Sequence, residues 1–332
     1  MFSVEVFSVG WVIVITLFAL LFDYINGFND TANAIATSVS TKALSPRNAI
    51  IVASTFNFLG AISGTAVAAT IGKNIVAEAD VVPLVILSAL IGAIFWNVFT
   101  WYFGIPSSSS HALIGGLVGA VIAHSGSGAV IWHGFLKIVL GLVTSPIMGL
   151  VLGSAVMTTL FWIFRKSSPV RINLRFRSLQ VLTACTTSFA HGSNDAQKSM
   201  GIITMSLLGA GMIPTFTVPL WVKIACAMAM SAGTAFGGWR IIRTMGGKIF
   251  RIEPINGFAA DFTSSTVLYG ASLLGIPVST THVVSSAIMG VGAAKRIKGV
   301  RWNIARQIVI AWFLTIPSAA LVAILFYRLL NG

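Results

Sequence analysis

The sequence predicts an all-α membrane protein: a polytopic helical bundle of about 10–12 transmembrane helices in two inverted repeats. Broken helices are expected at a duplicated Gly-x-Asn-Asp, together with re-entrant helical hairpins. Three observations carry this prediction. Of 332 residues, 56% are hydrophobic and 9% charged, with a mean hydropathy of +0.91, whereas soluble domains carry about 25% charged residues. Several landmarks recur in the same order in both halves. The basic residues gather between the apolar runs and not within them.

In chain order, Met1-Phe2-Ser3-Val4-Glu5-Val6 precedes the first apolar run without a basic stretch, so the first span is expected to stay and not to be cleaved. Runs of spanning length lie at about 8–40, 48–70, 82–103, 107–123 and 135–162, then at about 178–210, 219–239, 255–275, 277–294 and 305–330. The first run of each half is too long for one span of about 20 residues and contains a Gly-x-Asn-Asp. It reads as one interrupted span or two shorter ones. The expected organisation is a first repeat over 1–163, a basic cytoplasmic linker over 164–178 and a second repeat over 179–332.

The net charge of +13 invites a nucleic-acid reading, which placement excludes. Arg165–Arg177, Arg240–Arg251 and Lys295–Arg306 sit between spans, as the positive-inside rule requires. With Arg165–Arg177 inside, counting outward also puts Lys42/Arg47 and the other two clusters inside. The segments left outside are poor in Arg and Lys: 1–7 with Glu5, 71–81 with Lys73, Glu78 and Asp80, and 124–134 with none. Both termini then lie outside. An odd number of crossings per half inverts the second half. Cys185 and Cys226 lie in apolar segments without metal spacing and read as buried thiols.

The repeat is explicit in sequence. Gly27-Phe28-Asn29-Asp30 returns as Gly192-Ser193-Asn194-Asp195, an offset of 165. Gly104-Ile105-Pro106-Ser107-Ser108-Ser109-Ser110-His111 returns as Gly275-Ile276-Pro277-Val278-Ser279-Thr280-Thr281-His282, an offset of 171 that also relates Thr144-Ser145-Pro146 to Thr315-Ile316-Pro317. Three ordered landmarks indicate duplication.

A carboxylate inside a span costs roughly 2.5–3.5 kcal/mol on insertion scales, so Asp30 and Asp195 are functional candidates by default. The preceding glycine would loosen the helix and free backbone groups for a ligand. The Pro-Ser/Thr-His stretches are helix starts, which attract anions through their free N–H groups. Ser107, Ser108, Ser109 and Ser110, with Ser279, Thr280 and Thr281, add hydroxyl donors without charge; the plainer reading is capping and interhelical bonding. An acid beside an anion site is reasonable in three cases: the anion carries protons, the acid holds a cation, or the acid is itself protonated. Hydrogen phosphate has hydroxyl donors and sulfate has none, so a buried Asp30 or Asp195 favours phosphate. Asn29 and Asn194 can donate to the anion or offer carbonyls to a cation.

These residues resemble the inorganic phosphate transporters of the PiT type, whose mark is a duplicated Gly-Ala-Asn-Asp-(Val)-Ala-Asn-(Ala/Ser) in inverted halves. Gly27-Phe28-Asn29-Asp30-Thr31-Ala32-Asn33-Ala34 is similar to the first copy. His191-Gly192-Ser193-Asn194-Asp195-Ala196-Gln197-Lys198-Ser199 is similar to the second as found in bacterial members. The likeness covers essentially the whole chain. It implies secondary transport of inorganic phosphate, driven by protons or sodium, at a midplane site between the repeats. It further implies a homodimer in the cell inner membrane and no cofactor beyond the coupling cation. One departure stands out: Lys198 occupies the place matching Asn33, which looks like a cation ligand where both copies have Asn. Its ammonium could replace a bound cation, or pair with Asp195 or with phosphate, shifting coupling towards protons, with phosphate carried partly as a metal complex as in some bacterial relatives. Strict sodium dependence would instead move Asp23, Asn29 and Asn33 towards a sodium site.

Asp23 lies seven residues before Asp30, two helical turns away, and is expected to share its cavity as a cation or proton ligand. Asp261 has weaker support. His111 and His282 are expected to stabilise the hairpins, and His191 precedes the second motif. The rivals are transport of arsenate or sulfate, a channel, and an intramembrane hydrolase built on Ser107–Ser110 with His111 or His282. Ser and His adjacent on a helix point apart, which disfavours the hydrolase.

Overall fold

Capping residues and prolines convert the apolar runs into helices at almost the expected places. The structure, a computed structural model, describes residues 7–76 and 80–332; Glu5 and Glu78, expected outside, fall beyond the described residues. The first half contains α1 (Val9–Ser40), α2 (Pro46–Ile62), α3 (Ala66–Asn74), α4 (Pro83–Phe103), α5 (Ser109–Ser125) and α6 (Trp132–Phe164). The second contains α7 (Pro169–Gly209), α8 (Leu220–Phe236), α9 (Trp239–Arg243) with a π-helical turn (Thr244–Lys248), α10 (Pro254–Leu273), α11 (Thr280–Arg296) and α12 (Trp302–Asn331). Proline opens α2, α4, α7 and α10, where its missing N–H costs nothing. Length and apolarity make α1, α4, α6 and α12 candidate membrane spans, and each bent pair, α2–α3 and α8–α9, has the form of a broken span or a re-entrant element.

The expected breaks at Gly-x-Asn-Asp are absent. Both α1 and α7 run unbroken through Gly27-Phe28-Asn29-Asp30 and Gly192-Ser193-Asn194-Asp195. Those glycines serve close approach instead: a Cβ at Gly27 would land on the Met230 carbonyl oxygen, and one at Gly192 on that of Asn57. The bends lie elsewhere, 66° between α2 and α3 at Ser63-Gly64-Thr65 and 60° between α8 and α9 at Gly237-Gly238. The expected linker over 164–178 is helical from Pro169 onward, so most of its cations decorate the first turns of α7.

The repeats interlock. Gly60 of α2 packs on the Phe189 carbonyl of α7, and Gly233 of α8 packs in the same way on the Tyr24 carbonyl of α1. Likewise Gly119 of α5 meets Ala320 of α12, and Gly290 of α11 meets Leu150 of α6. Each repeat therefore completes the other's packing.

The pairs α4–α5 and α10–α11 form the two antiparallel hairpins. Their open ends are clasped: Ser125 Oγ donates to Asp80 Oδ1 at 2.5 Å, and Lys295 Nζ lies 2.8 Å from Glu253 Oε2. Their tips meet inside the molecule, where Ser110 Oγ donates to the Val278 carbonyl (2.9 Å) and the His111 and His282 rings lie 4.5 Å apart. Each tip turns at a glycine with positive φ, Gly104 (+66°) and Gly275 (+65°), and each is covered by the outer half of a bent pair. Thr244 Oγ1 donates to the Gly104 carbonyl (3.3 Å) and Thr70 Oγ1 to that of Gly275 (2.7 Å).

The basic clusters share one face. Arg177 Nε donates to the Lys42 carbonyl (2.8 Å), and the backbone N–H of Arg301 bonds Ile249 O (2.9 Å). At the other face His124 bonds the Tyr327 hydroxyl (2.6 Å), and Phe7 packs against Gly209. Two apolar clusters fill the layers on either side of the central polar plane, each built from both repeats.

Candidate functional site

Helical spacing assembles the site. Asp23, Asn26, Asp30, Asn33 and Thr37 fall on one face of α1 at alternating intervals of three and four, and all are buried. Gln180, Thr183, Thr187, His191, Asp195 and Lys198 form the matching buried stripe on α7. The two stripes face each other in antiparallel sense over about 21 Å of helix.

At their centre the two motif carboxylates share the hydroxyls of α11. Thr280 Oγ1 lies 3.0 Å from Asp195 Oδ2 and 3.5 Å from Asp30 Oδ2, and Thr281 Oγ1 donates to Asp30 Oδ1 (3.0 Å). Ser109 Oγ, from the opposite hairpin, donates to Asp30 Oδ2 (3.3 Å). The other expected hydroxyls have structural duties. Ser108 and Ser279 cap α5 and α11 by accepting from His111 N and His282 N (3.2 Å each). Ser107 bonds Thr100 (2.7 Å), and Ser110 joins the two tips. Of the seven candidate hydroxyls, Ser109, Thr280 and Thr281 face the carboxylates.

Lys198 is fully buried, with Nζ 2.6 Å from Asp195 Oδ1. His191 Nε2 lies 3.4 Å from the other oxygen, Oδ2. The orientation of that ring is set by a relay the sequence did not reveal. Thr234 Oγ1 donates to Met230 O (3.0 Å), so it accepts from Asn57 Nδ2 (2.9 Å), which turns Asn57 Oδ1 towards His191 Nδ1 (2.9 Å). Nε2, on the far side of the ring, faces the Asp195 carboxylate. Carboxylate oxygens of Asp30 and Asp195 and a ring nitrogen of His191 all lie within 4.8 Å of one another, spacing that suits a metal ion.

The remaining candidates disperse. Asn29 Nδ2 donates to the Asn97 carbonyl (3.0 Å), and Asn194 Nδ2 to that of Ile276 (3.4 Å), so both amides hold hairpin backbones. Asn33 Nδ2 donates to Thr281 Oγ1 (2.9 Å). Asp23 Oδ1 accepts from Ser199 (2.7 Å), one turn beyond Asp195 on α7. Asp261 lies at the opposite end, accepting from Thr37 (2.7 Å) and Thr183 (3.5 Å). Asp23 and Asn33 stand ten residues apart on one unbroken helix, about 15 Å, too far for both to ligate one ion. The oxygens Asp23 Oδ2, Asn29 Oδ1 and Asn33 Oδ1 are nevertheless buried without a protein partner. His282 stacks between His111 and Trp312 (centroids 4.5 and 3.9 Å), a packing role at the tips.

Two helix N-termini, three hydroxyls and two acids thus converge on one buried point shared by inverted repeats. The fold and the site together define a polytopic membrane transporter. A profile described as the phosphate transporter family (PHO4) matches residues 26–323. The chain is 51% identical over 322 residues to a Bacillus subtilis protein named a probable low-affinity inorganic phosphate transporter, covering 96% of this chain and 97% of that one. A Rhizobium meliloti protein of the same name is 49% identical over 311 residues, 93% of each chain. A solved structure described as "The sodium-dependent phosphate transporter" superposes with a TM-score of 0.88 at 27% identity, over 97% of this chain and 99% of that one. The chain belongs to the phosphate transporter family and is a transporter, not an enzyme.

Proposed function

We propose that the chain imports inorganic phosphate as a secondary active symporter working by alternating access, with protons as the coupling ion. The observation that carries this reading is the Lys198–Asp195 pair at 2.6 Å. A tethered ammonium neutralises the second carboxylate from the position that Asn33 holds in the first repeat. Asp30 is left to accept a phosphate hydroxyl, with Ser109, Thr280 and Thr281 as donors that turn from the carboxylate to the anion. Arsenate carries the same protons and is accepted; sulfate lacks them and is rejected.

Sodium coupling is the second reading. The unpartnered oxygens of Asp23, Asn29 and Asn33 favour it, as does the sodium dependence for which the structural neighbour is named. They would form separate stations along α1 and not one site. The Asp30–His191–Asp195 cluster supports carriage of phosphate partly as a metal complex. The repeats 1–163 and 179–332 act as the inverted units, joined through 164–178. The basic face supports an inner-membrane orientation with that face cytoplasmic and both termini outside. A homodimer follows from the family resemblance.

The test is phosphate uptake into proteoliposomes under an imposed pH gradient, with sodium present or absent. Uptake driven by the pH gradient alone is expected. Strict sodium dependence replaces the first reading with the second, and no uptake under either gradient removes both.

A further inference from the structure

A groove lies away from the Asp30–Asp195 site. It has a volume of about 750 Å³ and opens between α2, α7 and α10. Its walls are Phe56, Leu182, Phe189, Phe262 and Tyr269, with the Cys185 thiol and a few hydroxyls between them. No atom lies within 4 Å of where a Cβ on Gly270 would stand, so the floor is open at that point.

The groove leads to the basic face. Residues 175, 179, 182, 186 and 189 recur on one face of α7 and are all exposed or half-exposed, so Arg175 continues the line of Leu182 and Phe189 towards the surface. Arg47, in the first turn of α2, and Arg251, just before α10, are exposed at the starts of the two helices that flank this stretch of α7. The acid there, Glu253, is held by Lys295 at 2.8 Å. The mouth is therefore cationic over an apolar trough. The repeat sharpens the point: the offset of 165 carries Arg175 onto Gly10, so the corresponding place on α1 offers no cation.

We propose that this groove binds one anionic phospholipid, with an acyl chain along Phe56, Leu182, Phe262 and Tyr269 and the phosphodiester headgroup at Arg175. Cationic pockets between spans at the cytoplasmic level select such headgroups by charge, whereas a zwitterionic headgroup brings an ammonium against the arginine. Free inorganic phosphate has no chain to fill the trough. The site is independent of the phosphate-transport reading; one wall is α10, an arm of the hairpin that carries Thr280 and Thr281.

The test is native mass spectrometry of the full chain in detergent, offered phosphatidylglycerol or phosphatidylcholine with identical acyl chains. The wild type is expected to retain one phosphatidylglycerol with about fivefold preference, the ratio expected from one arginine near a headgroup. Arg175→Gln should abolish the preference, and Thr266→Trp, which fills the trough from α10, should remove the bound lipid with the charges intact. Millimolar inorganic phosphate should not displace it. Equal retention of both lipids by the wild type, or undiminished phosphatidylglycerol in either variant, overturns the proposal.

Discussion

Replacing Lys198 by Asn makes the second motif match the first at that position and removes a buried cation. Taking one partner from a buried ion pair costs about 3–5 kcal/mol. Asp195 would keep Thr280 at 3.0 Å and His191 at 3.4 Å, which places the loss near the lower bound. About 3 kcal/mol corresponds to about 100-fold in the population of the intact site. If Lys198 stands in for a bound cation, the variant should recruit one. Sodium at about a hundred times its dissociation constant would return about 2.7 kcal/mol, nearly the whole deficit. The expected result is a Lys198→Asn protein whose melting temperature and phosphate uptake are depressed in potassium buffer and restored by sodium, while the wild type is indifferent. The assays are thermal unfolding in detergent and radiolabelled phosphate uptake in proteoliposomes, each titrated with sodium at constant ionic strength. A variant as sodium-insensitive as the wild type refutes the substitution argument.

Further outcomes follow from the same geometry. Thr280→Val removes a hydroxyl lying between two carboxylates, and hydrogen bonds to charged groups are worth about 1.5–3 kcal/mol, so phosphate uptake at low substrate should fall by about 10- to 100-fold. Ser107→Ala, whose hydroxyl is spent on Thr100, should cost less than about fivefold in the same assay. Gly192→Ala drives a methyl into the Asn57 carbonyl and should lower stability by about 1–3 kcal/mol, read as a fall in melting temperature. Gly270→Ala, facing open space, should be neutral or raise stability by up to about 1 kcal/mol. Excess arsenate should inhibit phosphate uptake competitively, and equal sulfate should not.

The helices were legible because their signals are local. Pro46, Pro83, Pro169 and Pro254 mark starts, Gly104 and Gly275 mark turns, and apolar length marks spans. The breaks fall away from the motif for a physical reason. A glycine in a helix signals either loosening or close approach, and Gly27 and Gly192 are of the second kind, their partners lying on helices far along the chain. The real bends carry their own marks, Gly64 between two hydroxylated residues and the pair Gly237-Gly238, both outside the motif. The acids and the three facing hydroxyls were visible as a duplicated pattern, whereas Asn57, Thr234 and the part played by His191 were not. Asn57 meets His191 across 134 positions and Thr234 across 177, and no spacing rule reaches so far. Asp23 followed the helical period correctly onto the Asp30 face, but the opposing α7 stripe supplied Ser199 and drew it into a separate contact.

The interlocking of the repeats bears on how the chain is made. Asp30 accepts from Thr280 and Thr281, Asp23 from Ser199, and Asp261 from Thr37, so these three buried acids receive hydroxyl partners from the other half. While the ribosome is still synthesising α7, the first half already stands in the lipid with Asp23 and Asp30 lacking those partners, and its α5 waits for α12. A nascent chain stalled midway would present unpaired carboxylates to the bilayer, a signal that membrane quality control can read.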